Sequence, residues 1–305
     1  MAKNFLLGLF CFLGGIFFIQ LMGIVIKFIG TNYPSIQLSF FRNFFGILPI
    51  IIFMFFSGEI KNYNFFPKIP LIWLAILRGG FLAFAQLCFF ISLLFLNFAT
   101  ATTLQQTTPF IVALLSIPIL GTKVGFWKVL ALMIGFSGVL LIMKPGNDFL
   151  SYYAFLPLGA SFGYGINLVL VKLYPKNVPT ILIQYYTQLS ATLITLAILF
   201  VSSKFVIISK YSDFYLIFLM SIFGVVGVYL INISYRMTNH INLGPFQYFG
   251  IIFSFALGWL FFNEAPFNEL FPGFLLIILA GLVIFWRQRI TQKLLPRKNF
   301  LANKP

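Results

Sequence analysis

Apolar residues fall into ten long runs separated by short polar breaks, and this pattern sets the fold class. The runs cover residues 5–27, 36–56, 71–96, 99–120, 124–143, 153–173, 180–201, 214–237, 241–262 and 267–286. A helix needs about 20 apolar residues to cross a hydrocarbon layer of about 30 Å. Within lipid the backbone must satisfy its own hydrogen bonds, which leaves helices or closed barrels. The runs are too long and too continuously apolar for barrel strands, which alternate over about 10 residues. The pattern predicts an all-α, polytopic membrane protein with ten transmembrane helices. The first run follows Lys3 as a secretion signal would, but it is too long for one and is read as the first helix.

Composition agrees with the pattern. Of the 305 residues 61% are hydrophobic and 8% are charged, more apolar surface than a soluble core can hide. The formal net charge of +15 does not point to nucleic acid, because the basic residues are scattered through short loops and a tail. Their distribution reads instead as the positive-inside rule. With the N-terminus in the cytoplasm, fourteen Lys and Arg fall inside: Lys3, Lys61, Lys68, Lys123, Lys128, Lys172, Lys176, Arg236 and the tail cluster Arg287, Arg289, Lys293, Arg297, Lys298 and Lys304. Lys27, Lys144, Lys204 and Lys210 fall outside, so both termini are expected in the cytoplasm. Cys11 and Cys88 lie inside runs and read as packing residues, with no spacing that suggests a disulfide or a metal site.

The two halves of the chain correspond. Gly138–Ile142 closes the fifth run and Gly281–Phe285 closes the tenth; Gly121-Thr122 and Asn263-Glu264 follow the fourth and ninth. A unit of five helices repeated once fits both offsets, and an odd number makes the second copy inverted. The expected units are 1–146 and 147–289, followed by a basic cytoplasmic tail at 290–305.

Several segments carry a family resemblance. The second run contains Ser39-Phe40-Phe41-Arg42-Asn43-Phe44 and the third Leu77-Arg78-Gly79. The fourth runs from Ala99-Thr100-Ala101-Thr102 to Thr108-Pro109-Phe110-Ile111-Val112-Ala113-Leu114. Gly135 to Ile142 leads into Lys144-Pro145-Gly146, and Pro245-Phe246-Gln247-Tyr248 leads to Gly258-Trp259-Leu260-Phe261-Phe262-Asn263-Glu264. In order and spacing these resemble the EamA-type members of the drug/metabolite transporter superfamily over nearly the whole chain. The resemblance implies ten helices in two inverted repeats and transport of small metabolites; some relatives in bacteria with reduced genomes carry S-adenosylmethionine. There is one departure: Gly121-Thr122-Lys123 stands where the family often has Gly-Glu, while Glu264 keeps the position in the second half.

The expected function is therefore secondary transport of a small organic metabolite, amino-acid-like or nucleoside-like, across a bacterial inner membrane by alternating access. The partners expected are that metabolite and the lipid bilayer; no nucleic acid, cofactor or metal is expected, and a homodimer is left open. Arg42 and Arg78 lie inside runs, where an arginine is costly unless it faces a cavity or snorkels. They are candidates to grip an anionic group, the alternative being structural arginines bonded to carbonyls. Gln105, Gln247, Tyr248, Tyr229 and Asn232 are candidates to orient the rest of the substrate, with interhelical hydrogen bonding as the alternative. Pro109 and Pro245 are expected to break or kink their helices near such a site. His240 and Glu264 read as interface residues. Gly159-Ala160-Ser161-Phe162-Gly163 has the spacing of a serine-nucleophile elbow, but inside a run its small residues suit helix packing. Rival readings are a membrane-embedded enzyme, for which no paired carboxylates or metal cluster are visible, a structural or sensory membrane protein, and a channel.

Overall fold

The computed structural model describes residues 2–29, 32–57, 69–96, 98–122, 125–143, 152–202, 205–238, 243–262, 271–283 and 286. Lys144-Pro145-Gly146, His240, Glu264 and the basic tail lie outside the described residues. The described chain is all-helical: α1 (Ala2–Ile29), α2 (Ser35–Ser57), α3 (Ile69–Phe95), α4 (Phe98–Gln105), α5 (Thr108–Leu120), α6 (Phe126–Met143), α7 (Phe155–Leu170), α8 (Thr180–Ser202), α9 (Tyr211–Met237) and α10 (Phe249–Phe262), then α11 (Gly273–Val283). A short 3-10 turn, Gly244–Tyr248, leads into α10. Seven of the expected spans are long and apolar enough to cross a membrane; at the positions of the fourth, fifth and tenth run shorter apolar helices, Thr108–Leu120, Phe126–Leu141 and Gly273–Val283.

The outer surface is apolar. Phe10, Phe55, Phe56, Phe200 and Val201 are among its most exposed side chains. Polar side chains turn inward instead: Gln37, Ser39, Asn43, Gln184, Gln188, Asn232 and Ser234 are buried. This inversion of the soluble pattern suits a bundle whose solvent is lipid. Trp73, Trp127, Trp259 and Trp286 are exposed, as interfacial anchors are.

Small residues allow the closest helix contacts. On α1 and α9, Gly15 and Gly227 face each other; a Cβ on Gly15 would stand 2.8 Å from the Gly227 oxygen. On α7, a Cβ on Gly163 would stand 2.9 Å from both Ala85 Cβ and the Phe81 oxygen on α3. Ser161, in the elbow-like segment, bonds the Pro157 and Gln105 oxygens at 3.0 Å each, so the segment packs helices.

The pairing follows a regular scheme. α1 packs on α9 and α3 on α7; α2 packs on α9 and α3 on α8; α1 packs on α10 and α5 on α7; α2 and α8 pack on each other. The ends are pinned separately. At one end Tyr33 donates to Asp213 (2.8 Å), and Gln37 both donates to and accepts from the Val206 backbone. At the other, Arg236 donates to the Pro175 (2.9 Å) and Lys176 (3.3 Å) carbonyls, and Lys172 to Thr238 O (2.6 Å).

Candidate substrate site

Proline chemistry creates the polar centre of the bundle. Pro109 has no N–H and its ring crowds the carbonyl four residues back, that of Gln105. The helix breaks there, at Gln106-Thr107, into α4 and α5. The freed Gln105 oxygen is taken up by Thr108 Oγ1 (2.7 Å) and Ser161 Oγ (3.0 Å). Pro245 opens the 3-10 turn ahead of α10, which places Gln247 at a second irregular point. Both irregular points border a cavity.

The cavity is an empty space of about 1120 Å³, part of it open to the outside of the protein. Its polar lining consists of Arg42, the amides Gln20, Gln86, Gln105, Gln106, Asn167 and Gln247, the hydroxyls Thr102 and Thr108, and Tyr164. Ile16, Ile26, Leu82, Phe89 and Ile231 are among its apolar walls. It reaches from the middle of the bundle toward the end that carries Tyr33. The amides are held in place: Ser254 Oγ donates to Gln20 Oε1 (2.6 Å), and Gly250 leaves room for the amide ends of Gln20 and Gln106.

Arg42 is buried in the cavity wall. Its Nη1 donates to Asn43 Oδ1 (2.9 Å) and its Nη2 to Gly224 O (3.2 Å), while Nε has no partner. Asn43 is fixed in turn by Gln86 Nε2 (3.2 Å) and Gln188 Nε2 (3.1 Å), which donate to the same oxygen.

Three of the seven expected site residues, Arg42, Gln105 and Gln247, line the cavity. The other four lie elsewhere. Arg78 sits in a buried polar knot, donating to Asn167 O (3.1 Å), Asn167 Oδ1 (3.1 Å), Thr187 Oγ1 (3.0 Å) and Asn232 Oδ1 (3.3 Å). Its guanidinium also stands 5.9 Å from the centre of the Tyr174 ring. Asn232 belongs to that knot and donates to Gln184 Oε1 (2.5 Å). Tyr229 packs against Ile50, Ile181 and Val225. Tyr248 is buried against Gly135 and donates to Leu132 O (3.2 Å).

The sequence reading did not single out Gln20 and Gln86. Each is a single amide in an apolar stretch. A lone amide in a transmembrane run was itself the signal, since lipid gives it no partner.

Asp213 is the only acidic residue among the described ones, and it lies at the end of the bundle. The cavity lining thus carries one formal charge, that of Arg42.

Apolar helices around an internal polar cavity define a multi-pass membrane protein. The chain belongs to the EamA-like transporter family, which matches residues 6–144 and 151–286. It is 24% identical over 274 residues to the pseudopaline exporter CntI of Pseudomonas aeruginosa (strain UCBPP-PA14), covering 88% of this chain and 92% of that protein. It is 22% identical over 288 residues to the S-adenosylmethionine uptake transporter of Rickettsia prowazekii, covering 94% and 95%. A riboflavin transporter of Rhizobium johnstonii is 26% identical over 189 residues, 60% of each chain. A protein of known crystal structure shares the fold, with a TM-score of 0.75 at 15% identity over 93% of this chain and 97% of the other.

Proposed function

We propose that the protein is a secondary transporter of a small organic metabolite, working by alternating access between two inverted five-helix halves, residues 1–146 and 147–289. The observation that carries this reading is the amide-rich cavity inside an otherwise apolar bundle, bordered by the helix break ahead of Pro109 and by the 3-10 turn that Pro245 opens. Broken helices free backbone groups at depth, and transporters of this kind bind cargo there.

The helix pairing supports the two halves. Exchanging each helix for its counterpart five spans away turns the α1–α9 contact into α7–α3, the α2–α9 contact into α8–α3, and the α1–α10 contact into α7–α5. The α2–α8 contact maps onto itself. The two family matches, 6–144 and 151–286, divide the chain at nearly the same place.

Arg42, Gln105 and Gln247 contact the cargo in this reading. Arg78, Asn232, Tyr229 and Tyr248 hold the helices that shape the cavity. The relatives named as carriers of S-adenosylmethionine span almost the whole chain, which supports an amino-acid-like or nucleoside-like substrate with S-adenosylmethionine as the first candidate. The distribution of Lys and Arg supports an inner-membrane protein with both termini in the cytoplasm.

Counterflow in proteoliposomes tests the reading. Vesicles are preloaded with one unlabelled metabolite, and entry of its labelled form is followed without an ion gradient. Transient, saturable accumulation is expected for at least one compound. A folded, reconstituted protein that accumulates none of a panel of amino acids, nucleosides and S-adenosylmethionine would count against it.

A further inference from the structure

The two buried arginines differ in what they lack. Arg78 donates to four neutral acceptors and stands against the Tyr174 ring. A guanidinium has five N–H donors. Arg42 spends two of them, on Asn43 and Gly224, and its Nε is buried without an acceptor. No described carboxylate balances it. The cavity wall therefore holds half of an ion pair.

Burying a charge is tolerated when it is paired and hydrogen-bonded, and is costly otherwise. Arg42 is 2% exposed and its Nε lies beside Gly224 of α9, so little water reaches the guanidinium even with the cavity empty. Closing the cavity around nothing leaves that charge unpaired. Closing it around a bound anion supplies the missing partner. One positive charge is balanced by one negative charge, and a planar carboxylate matches the guanidinium fork. The pairing is local: a doubly charged phosphate would bring a second negative charge for which the described lining has no second cation, whereas the ammonium of an amino-acid-like cargo finds acceptors in the amide oxygens of the lining.

We propose that Arg42 anchors a carboxylate of the cargo, and that the protein closes and reorients only when this carboxylate is in place. The protein then exchanges one carboxylate-bearing molecule for another instead of letting cargo drain from one side. This inference rests on the transport reading above and adds to it the charge class of the cargo and the mode of movement.

Efflux from proteoliposomes holding the full chain tests it. Vesicles are loaded with a labelled compound and diluted into buffer either empty or containing the same compound unlabelled. The probes are S-adenosylmethionine and decarboxylated S-adenosylmethionine, leucine and leucinamide, and riboflavin as a neutral reference. The expected result is that only carboxylate-bearing probes move, with exchange at least about tenfold faster than net efflux. Arg42→Met should raise the half-saturation concentration about tenfold or more, the loss of a hydrogen bond to a charged group. It should also bring exchange and net efflux to similar rates, because the empty site no longer holds an unpaired charge. Arg42→Lys keeps the charge and should keep exchange dominant, so it tests the inference if the Met variant does not fold. Transport of riboflavin, leucinamide or decarboxylated S-adenosylmethionine as fast as the carboxylates would overturn the inference and leave the transport reading standing. So would net efflux as fast as exchange in the unsubstituted protein. If the folded protein moves no probe, the inference and the transport reading fall together.

Discussion

Replacing Arg78 with Met should destabilise the fold more than replacing Arg42 with Met, although both remove one buried guanidinium. Arg78 ties α3 to α7 through Asn167, to α8 through Thr187 and to α9 through Asn232. Hydrogen bonds between transmembrane helices average about 0.6 kcal/mol, and bonds to charged groups reach about 1.5 kcal/mol or more. Four such bonds come to roughly 2–6 kcal/mol. Part of this is offset, because Met does not suffer the desolvation cost of a buried cation. The Asn167, Thr187 and Asn232 oxygens, however, lose their donor inside the bundle. A net loss of about 2–4 kcal/mol follows for Arg78→Met. Arg42 makes two bonds, so Arg42→Met should cost about 1 kcal/mol. Reversible denaturant unfolding in mixed micelles, followed by tryptophan fluorescence, reads both values. Equal losses, or a larger loss for Arg42, would refute the division of labour between the two arginines.

Gly163→Val should separate α7 from α3, because even a Cβ there would press on Ala85 and the Phe81 oxygen at 2.9 Å. A loss of about 2 kcal/mol or more, or of monodisperse protein on size-exclusion chromatography, is expected. Gly80→Ala is the control: its Cβ would meet Ile194 at 3.8 Å, and stability should change by no more than about 0.5 kcal/mol. Gln247→Leu removes an amide from the cavity wall and should raise the half-saturation concentration for cargo by about threefold to tenfold in initial-rate uptake, with unfolding unchanged.

Much of the fold was legible because lipid imposes a simple rule. A long apolar run has no other way to bury its backbone polar groups than to become a helix. The break near Pro109 was legible for a similarly local reason, the missing N–H and the crowded Gln105 carbonyl. The site was only partly legible. Residues three or four apart share a helix face, but that face can turn toward a cavity or toward a neighbouring helix. Gln105 and Gln247 turn toward the cavity; Asn232 turns toward Arg78 and Gln184, and Tyr248 toward Leu132. Nothing within one helix distinguishes these cases, because the deciding contacts lie 48 to 154 positions away in the chain. The same holds for the arginines. Seen alone, each is a cation in a transmembrane run. Arg78 meets acceptors on three other helices, whereas Arg42 meets its neighbour Asn43 and one carbonyl of α9.

Asn167 joins the two polar regions. It lines the cavity, and it also exchanges hydrogen bonds with Arg78 in both directions: its Nδ2 donates to Arg78 O at 2.7 Å, and its Oδ1 and backbone oxygen accept from the guanidinium. The knot lies between the cavity and the end of the bundle where Arg236 pins the 175–180 segment. A cargo group that draws the Asn167 amide toward the cavity must compete with Arg78 for it. Giving up that bond loosens α3 from α7, the pair that corresponds to α9–α1 when the two proposed halves are exchanged. In the transport reading proposed above, a single amide connects occupancy of the cavity to the packing between the two halves. Arg78, although it does not line the cavity, sets how firmly that connection is held.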